Sequence, residues 1–368
     1  MSIVGMAACV TYGQSEVYAA VRQVVEQLGG IAAFVQPGQR VLLKPNLLKA
    51  AVPEEAATTH PEFVRAVIRL VKTRTPHIFV GDSPAGLVKT ETVYEQCGMR
   101  AVCREEGVNL VVFDRIQEKH GIPFARIAAE VDVCISLPKL KTHGLAVITA
   151  GVKNVFGLIA GLYKVQCHKD APNARAFAAK LAHIYGLVRP QLSLCDAIIA
   201  MEGAGPAGGN PCRVGCVAGS ADAVALDAVL AAIIGLPPFS VPSTAEAFRQ
   251  KLGEARLERI EIRGPGIAAL AQRRFRLARP QLFFRLPNAL GKLATRLIPL
   301  VMAVDRRLCN GCGMCVRICP RQTIRLSGGV PVIEPRECIL CLCCSEGCPQ
   351  NAIDVQIRRF FQGKRRLR

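Results

Sequence analysis

Cysteines constrain this chain more than any other residue type. Cys309, Cys312, Cys315 and Cys319 are followed by Pro320, and Cys338, Cys341, Cys344 and Cys348 by Pro349, so that C-x2-C-x2-C-x3-C-P occurs twice. Three thiolates at steps of three wrap one face of an iron–sulfur cube, and the fourth, at the proline turn, reaches the other cube. The spacing therefore predicts two [4Fe–4S] clusters, one on Cys309, Cys312, Cys315 and Cys348, the other on Cys338, Cys341, Cys344 and Cys319. The two runs form an internal repeat offset by 29 residues, and the match continues past the ligands into Ile324 and Ile353. Zinc favours two separated cysteine or histidine pairs, and a disulfide framework favours a short secreted chain, so both are weaker readings.

The remaining nine of the 17 cysteines are expected to be small buried hydrophobes, Cys343 among them as an unligated neighbour. Cys212 and Cys216 lie four apart in a Gly-rich stretch with no third ligand in view. The chain opens Met-Ser-Ile-Val-Gly-Met without a basic start and apolar run, which predicts a cytoplasmic protein. Arginine, lysine or proline interrupts every apolar stretch long enough to be a membrane span.

A formal net charge of +19 calls for partners that tolerate it. The surplus is concentrated between Glu261 and Asp305, where eight Lys or Arg meet no acid, and in the tail from Arg358 to Arg368. Apolar residues interleave the basic ones at helical spacing. Such a segment packs on its own protein, docks an acidic redox partner, or lies on an anionic membrane surface, giving a protein peripheral to the membrane. Nucleic acid is the weakest partner, for want of a recognisable binding module.

From residue 1 to 265 short apolar runs alternate with helical-period stretches, which predicts an α/β domain with a layered sheet and helices. Expected strands are 3–10, 40–45, 77–80, 109–113, 132–136, 192–199, 213–217 and 257–262. Expected helices are 15–28, 61–72, 91–106, 174–188, 221–234 and 244–252. A basic amphipathic linker (266–300), a small α+β cluster domain (301–357) and a basic tail (358–368) follow. Chemistry in such folds gathers where strands end. Five strand-end segments carry candidate residues: Lys44 with Asn46, Asp82, the run Lys139, Lys141, His143, Lys153 and Asn154, then Asp196 with Glu202 and Gly203, and the turn at Ser220. Asp82 and Ser220 taken singly are an ordinary turn and an ordinary helix cap. The lysine cluster is harder to explain structurally, because a buried ammonium needs an anion. His168 and His183 read as structural or solvated.

Read in order, Lys44-Pro45-Asn46, Thr59-His60-Pro61, Gly81-Asp82-Ser83-Pro84, Pro138 to His143, Gly151-Val152-Lys153-Asn154, Asp196-Ala197-Ile198 and Glu202-Gly203 resemble the domain-of-unknown-function family 362. That family is often fused to a C-terminal bacterial-type two-cluster ferredoxin. The resemblance implies an α/β domain coupled to iron–sulfur electron transfer and supplies no substrate. The expected activity is an iron–sulfur oxidoreductase, taking electrons from a low-potential donor (ferredoxin, flavodoxin or a reductase) and passing them to a substrate or cofactor at the large domain. Lys141, His143, Asp82, Asp196 and Glu202 are its candidate catalytic groups. Lys44, Asn46, Lys139, Lys153, Asn154 and Gly203 are its candidate binding groups. The alternative is a ferredoxin-like carrier that docks a partner enzyme and has no chemistry of its own.

Overall fold

The computed structural model describes residues 1–85, 87–171, 173–271, 275–278 and 300–357. Most of the basic linker and all of the basic tail lie outside the described residues. Strands of the large domain are β1 (Ser2–Ala8), β2 (Val41–Pro45), β3 (Ile78–Val80), β4 (Asn109–Leu110), the hairpin β5 (Ile116–Lys119) and β6 (Ile122–Ala125), β7 (Val133–Leu137), β8 (Lys139–His143), β9 (Val147–Thr149), β10 (Leu192–Glu202), β11 (Asn210–Ser220) and β12 (Ile260–Arg263). Ten of them, all but the hairpin, form one mixed sheet with the order β12-β1-β11-β10-β7-β2-β3-β4, β8 and β9 standing off β10.

Alternation along the strands assigns each residue to a face. Val41 and Leu43 pack in one core with Val133, Ile135 and Leu137, whereas Leu42 and Cys134 point into the other. Helices Gln14–Gln27 and Pro61–Lys72 cover the first face, and helices Ala174–Val188 and Ala223–Ile233 the second. The result is a three-layer α/β/α domain. Pro61–Lys72 and Ala174–Val188 begin where the sequence places them, because His60 and Asn173 accept backbone N–H bonds as caps.

Three expectations change in kind, and one element was not anticipated. The helix expected over 91–106 is two, Thr90–Gln96 and Met99–Glu105, separated by Gly98 at φ 74°, a left-handed conformation that closes the first of them. Ser220 is not the cap of helix Ala223–Ile233; Asp222 is, accepting from Val224 and Ala225 N–H, while Ser220 Oγ donates to Ile3 O. Residues 139–143 form a buried strand where a strand-end loop was expected. β7 pairs with the start of β10 (Leu192 opposite Ile135), and past Pro138 β8 pairs with its far half (Asp196 opposite Lys139, Met201 opposite Lys141). Finally, the polar hairpin β5–β6 carries no apolar alternation on its first strand and gives no sequence signal.

The C-terminal module consists of β13 (Leu300–Val304) paired antiparallel with β16 (Ile353–Ile357), and β14 (Ile324–Ser327) paired with β15 (Val330–Ile333). Short helices Met314–Ile318 and Cys343–Glu346 carry the middle of each cysteine run. Between residues 271 and 300 the described linker residues Phe275 and Leu277 are buried in the large domain's core, as expected for a segment packed on its own protein.

Candidate functional site: a cleft between the large domain and the cysteine module

The eight repeat cysteines line two separate cavities. One is walled by Cys309, Cys312, Cys315 and Cys348. The other is walled by Cys319, Cys338, Cys341 and Cys344. Each set combines three cysteines of one run with the fourth of the other, the crossed pattern that the spacing predicts. Among the described residues no three His, Cys, Asp or Glu side chains gather at a single-ion site. The donor set, four sulfurs around a volume in each case, fits a cube-shaped iron–sulfur group.

The two loops are not equivalent. In the first run Gly311 and Gly313 adopt φ of 71° and 70°. Their counterparts 29 residues later are Leu340 and Leu342, at φ 51° and 67°. A β-carbon in this region costs about 1–2 kcal/mol per residue. The strain is offset at Leu342 by docking: its side chain lies so close over Gly144 that a β-carbon there would overlap Leu342 Cδ1. Leu145 joins the same apolar cluster. Val165 of the large domain likewise packs with Ile318, Cys341 and Cys343.

Polar contacts complete this junction. His143 Nε2 stands 2.9 Å from Glu346 Oε1, and His143 Nδ1 accepts from the N–H groups of Leu145 and Ala146, both at 3.0 Å. With Nδ1 an acceptor, Nε2 carries the proton and faces the carboxylate. Burial pushes the His143 pKa down to about 4. Burial alone would raise the Glu346 carboxyl, but His143 and Lys153 more than offset it and hold it at about 2. Lys49 Nζ donates to Asn351 Oδ1 of the module at 3.1 Å and pairs with Glu55.

Beside this junction opens a cleft of about 580 Å³, counting its mouth. Large-domain residues Lys44, Asn46, Asp82, Lys153, Asn154, Lys164 and His168 line it, together with Ile318, Cys343 and Glu346 of the module. Its lysines differ in what they can still bind. Lys44 is 1% exposed and committed to the protein, donating to Pro45 O (2.9 Å) and Asn154 Oδ1 (3.0 Å) and pairing with Asp82 Oδ1 at 2.8 Å. Burial lowers its pKa and Asp82 opposes the shift. Asp82 Oδ2 accepts from Leu47 N–H at 2.7 Å. Gly157 lets this pair form, since a β-carbon would fall on Asp82 Oδ1 and Lys44 Nζ. Lys164 is likewise engaged by Ser83 O, Ser83 Oγ and Pro84 O. Burial lowers its pKa to about 8.

Lys153 is different. It is half-buried, with its Nζ 6.0 Å from the Phe156 ring centroid, and among the described residues no carboxylate lies within ion-pair distance of it. Burial lowers its pKa, opposed by Glu346. His168, stacked on Phe177 at 4.3 Å, is buried with Nδ1 lacking a hydrogen-bond partner. Burial holds its pKa at about 4, so the ring is neutral at pH 7. An orphaned buried ring nitrogen costs about 1–3 kcal/mol unless a ligand meets it. Lys153 and His168 are thus the cleft's uncommitted polar groups.

The other expected residues lie elsewhere. Lys141 Nζ donates to Asn46 Oδ1 (2.8 Å) and Ala57 O (2.6 Å), and burial places its pKa well below the ordinary lysine value. It supports Asn46 from behind the cleft. His143, expected as a proton donor, stands at the junction, with Nδ1 bonded by two backbone N–H groups and Nε2 beside Glu346. Lys139 and Asp196 form a separate buried pair at 2.8 Å, joined by Tyr12 OH, which donates to Asp196 Oδ1 at 2.8 Å, while the Tyr12 ring stacks on His60. Glu202 is held by Arg276, Nε at 2.7 Å and N–H at 2.8 Å, and Gly203 N–H donates to Arg276 O. Asp196, Glu202, Lys139 and Gly203 therefore lie outside the cleft. Strand-end reading missed Lys164, His168, Cys343 and Glu346. The one signal available was the break in the repeat, where Met314 and Arg317 of the first copy become Cys343 and Glu346.

A family model described as "domain of unknown function (DUF362)" matches residues 41–232, just over half of the chain. The chain belongs to this family. A 4Fe–4S binding domain matches residues 301–324, making this family member an iron–sulfur protein. A thylakoid-associated protein of Synechocystis sp. is 38% identical over 251 residues, 66% of this chain and 77% of that protein. An uncharacterized ferredoxin of Methanocaldococcus jannaschii is 33% identical over 60 residues, 16% of this chain and 97% of the ferredoxin. Among solved structures, the lactate racemase apoprotein of Thermoanaerobacterium thermosaccharolyticum aligns with TM-score 0.36 at 11% identity, covering 61% of this chain and 55% of that one, a likeness too slight to carry an argument. No helix of the described residues is long and apolar enough to cross a membrane.

Proposed function

We propose that this family 362 protein is a two-cluster iron–sulfur oxidoreductase whose acceptor is a small anion bound in the cleft. The observation that carries this reading is that one cleft is walled both by strand-end residues of the large domain and by residues adjoining the cluster cysteines: Ile318 beside Cys319, Cys343 beside Cys344, and Glu346. When bound, the two [4Fe–4S] groups supply single electrons at low potential. Cys309, Cys312, Cys315 and Cys348 would hold one, and Cys319, Cys338, Cys341 and Cys344 the other.

The chain's own residues do the rest. Lys153 binds the anionic group of the acceptor, in a half-buried setting where the attraction is stronger than in water. His168 meets a polar atom of the same molecule through Nδ1. Lys44, Lys164 and Asp82 fix the floor, both lysines being engaged by groups of the protein itself. His143 and Glu346 hold the module against the strand ends, so that acceptor and cluster cysteines share one wall. Each electron delivered to the protein leaves on the acceptor, and the protons it requires enter from solvent at the cleft mouth. The thylakoid-associated relative supports a second element, that the basic linker and tail hold the protein against an anionic membrane surface.

The test is reoxidation. Dithionite-reduced protein, freed of reductant, is mixed anaerobically with a panel of small oxidised carboxylates, phosphate esters and oxoanions. Wild type should be reoxidised by one class, and Lys153→Ala and His168→Ala should lose that reaction while keeping iron content and visible spectrum. Equal reoxidation of all three proteins would reject the cleft as the acceptor site.

A further inference from the structure

The two cysteine cavities face different surroundings. Both cavities are lined by module residues, but Cys341 of the set Cys319, Cys338, Cys341 and Cys344 also packs, with Ile318, against Val165 of the large domain at the cleft. The set Cys309, Cys312, Cys315 and Cys348 is lined by module residues. Cys312 is the one exposed cysteine of the eight. Around it the surface combines apolar and basic groups. Leu308 is 51% exposed and Leu326 is 44% exposed. A β-carbon on Gly313 would lie 3.6 Å from Leu326 Cδ1, which puts Leu326 beside the Cys312 loop. Arg306 and Arg307 are exposed on the turn that leads into Cys309, with Asp305 as the acid of that turn.

We infer that this face, centred on Cys312, is where the electron donor docks, and that the donor is a small acidic one-electron protein. Apolar contact flanked by like charges is the composition of a transient redox interface: Leu308 and Leu326 exclude water at the centre, and the arginines steer an acidic partner into place. The donor would lose one electron to the group that Cys309, Cys312, Cys315 and Cys348 would hold, while the acceptor cleft adjoins the other set through Cys341 and its neighbours. This rests on the two-cluster reading, and it locates docking on the module rather than on the basic linker and tail.

The test is binding, measured by calorimetry between the full-length holoprotein and an acidic bacterial-type ferredoxin at low ionic strength. Arg306→Glu/Arg307→Glu should weaken the complex at least tenfold and flatten its dependence on salt. A matched reversal in the basic linker, Arg285→Glu/Lys292→Glu, should change it less than threefold. Iron is counted in every sample first. With eight irons per chain throughout, equal affinities for wild type and Arg306→Glu/Arg307→Glu, or a larger loss in the linker variant, would overturn the docking face. Four irons in the wild type would overturn the two-cluster reading instead.

Discussion

Replacing Asp82 by Asn would leave the Lys44 ammonium buried at 1% exposure, with Pro45 O and Asn154 Oδ1 as its remaining partners. Removing one partner of a buried pair costs about 3–5 kcal/mol, because the survivor keeps its charge without an opposing one. Lys44→Met should therefore cost less in the Asp82→Asn background than in the wild type. A double-mutant cycle on the two positions should show coupling of at least ~2 kcal/mol, read from anaerobic urea unfolding followed by near-UV circular dichroism. The pH dependence has a definite sign. Burial already lowers the Lys44 pKa, and Asp82 opposes that shift. Without the carboxylate the folded-state pKa falls further below the unfolded value, so the native state binds fewer protons than the unfolded one in that window. Stability is then recovered as pH rises toward the ordinary lysine range, and the Asp82→Asn penalty should shrink there. Single-variant penalties that add to within ~0.5 kcal/mol, with no pH dependence, would refute this account of the cleft floor.

Other consequences are checked by similar means. His168 has a folded-state pKa near 4 against an ordinary 6.5, so its contribution is complete above pH 6.5 and is lost as pH falls to 4, an effect of about 3 kcal/mol; His168→Phe should flatten that acid limb of the stability profile. Asp227 accepts from Gly151 and Val152 N–H, and burial raises its pKa to about 7. The native state therefore holds a proton that the unfolded chain releases, stability falls as pH rises from about 4 to 7, and Asp227→Asn should remove this slope from chemical-denaturation curves. Leu342→Gly should relieve about 1 kcal/mol of backbone strain yet lose the contact over Gly144, so the module should become more susceptible to proteolysis at its junction while global stability changes little. Gly157→Ala should displace the Lys44–Asp82 pair and cost about 1–3 kcal/mol by overpacking.

Much of the layered architecture can be read from residues alone, because apolar runs such as Val41-Leu42-Leu43 and capped helices such as Pro61–Lys72 carry their own local signals. What escapes is set by contacts distant in sequence. Lys139-Leu140-Lys141-Thr142-His143 resembles a polar loop until Asp196, Asn46 and Glu346 arrive to neutralise or bond its side chains within a buried strand. The same holds at the cleft. Lys44, Asn46, Asp82, Lys153 and Asn154 follow from the rule that chemistry gathers at strand ends, whereas Lys164 and His168 lie on a polar helix, Tyr163–Asp170, with no distinctive pattern. Glu346 and Cys343 were hidden inside a motif whose ligands command attention. The substitution of leucine for both positive-φ glycines of the repeat marks the second loop as shaped by its neighbour, a clue that becomes legible once Gly144 is seen beneath Leu342.

Iron quantitation and electron paramagnetic resonance on dithionite-reduced protein, comparing wild type with Cys312→Ala and Cys341→Ala, test the central claim most directly. Wild type should hold eight irons with two interacting paramagnets, and each variant four irons with one. Addition of the small anion identified by the reoxidation panel should alter the signal retained in Cys312→Ala and leave that of Cys341→Ala unchanged. Four irons in the wild type, or an anion effect confined to Cys341→Ala, would contradict the account.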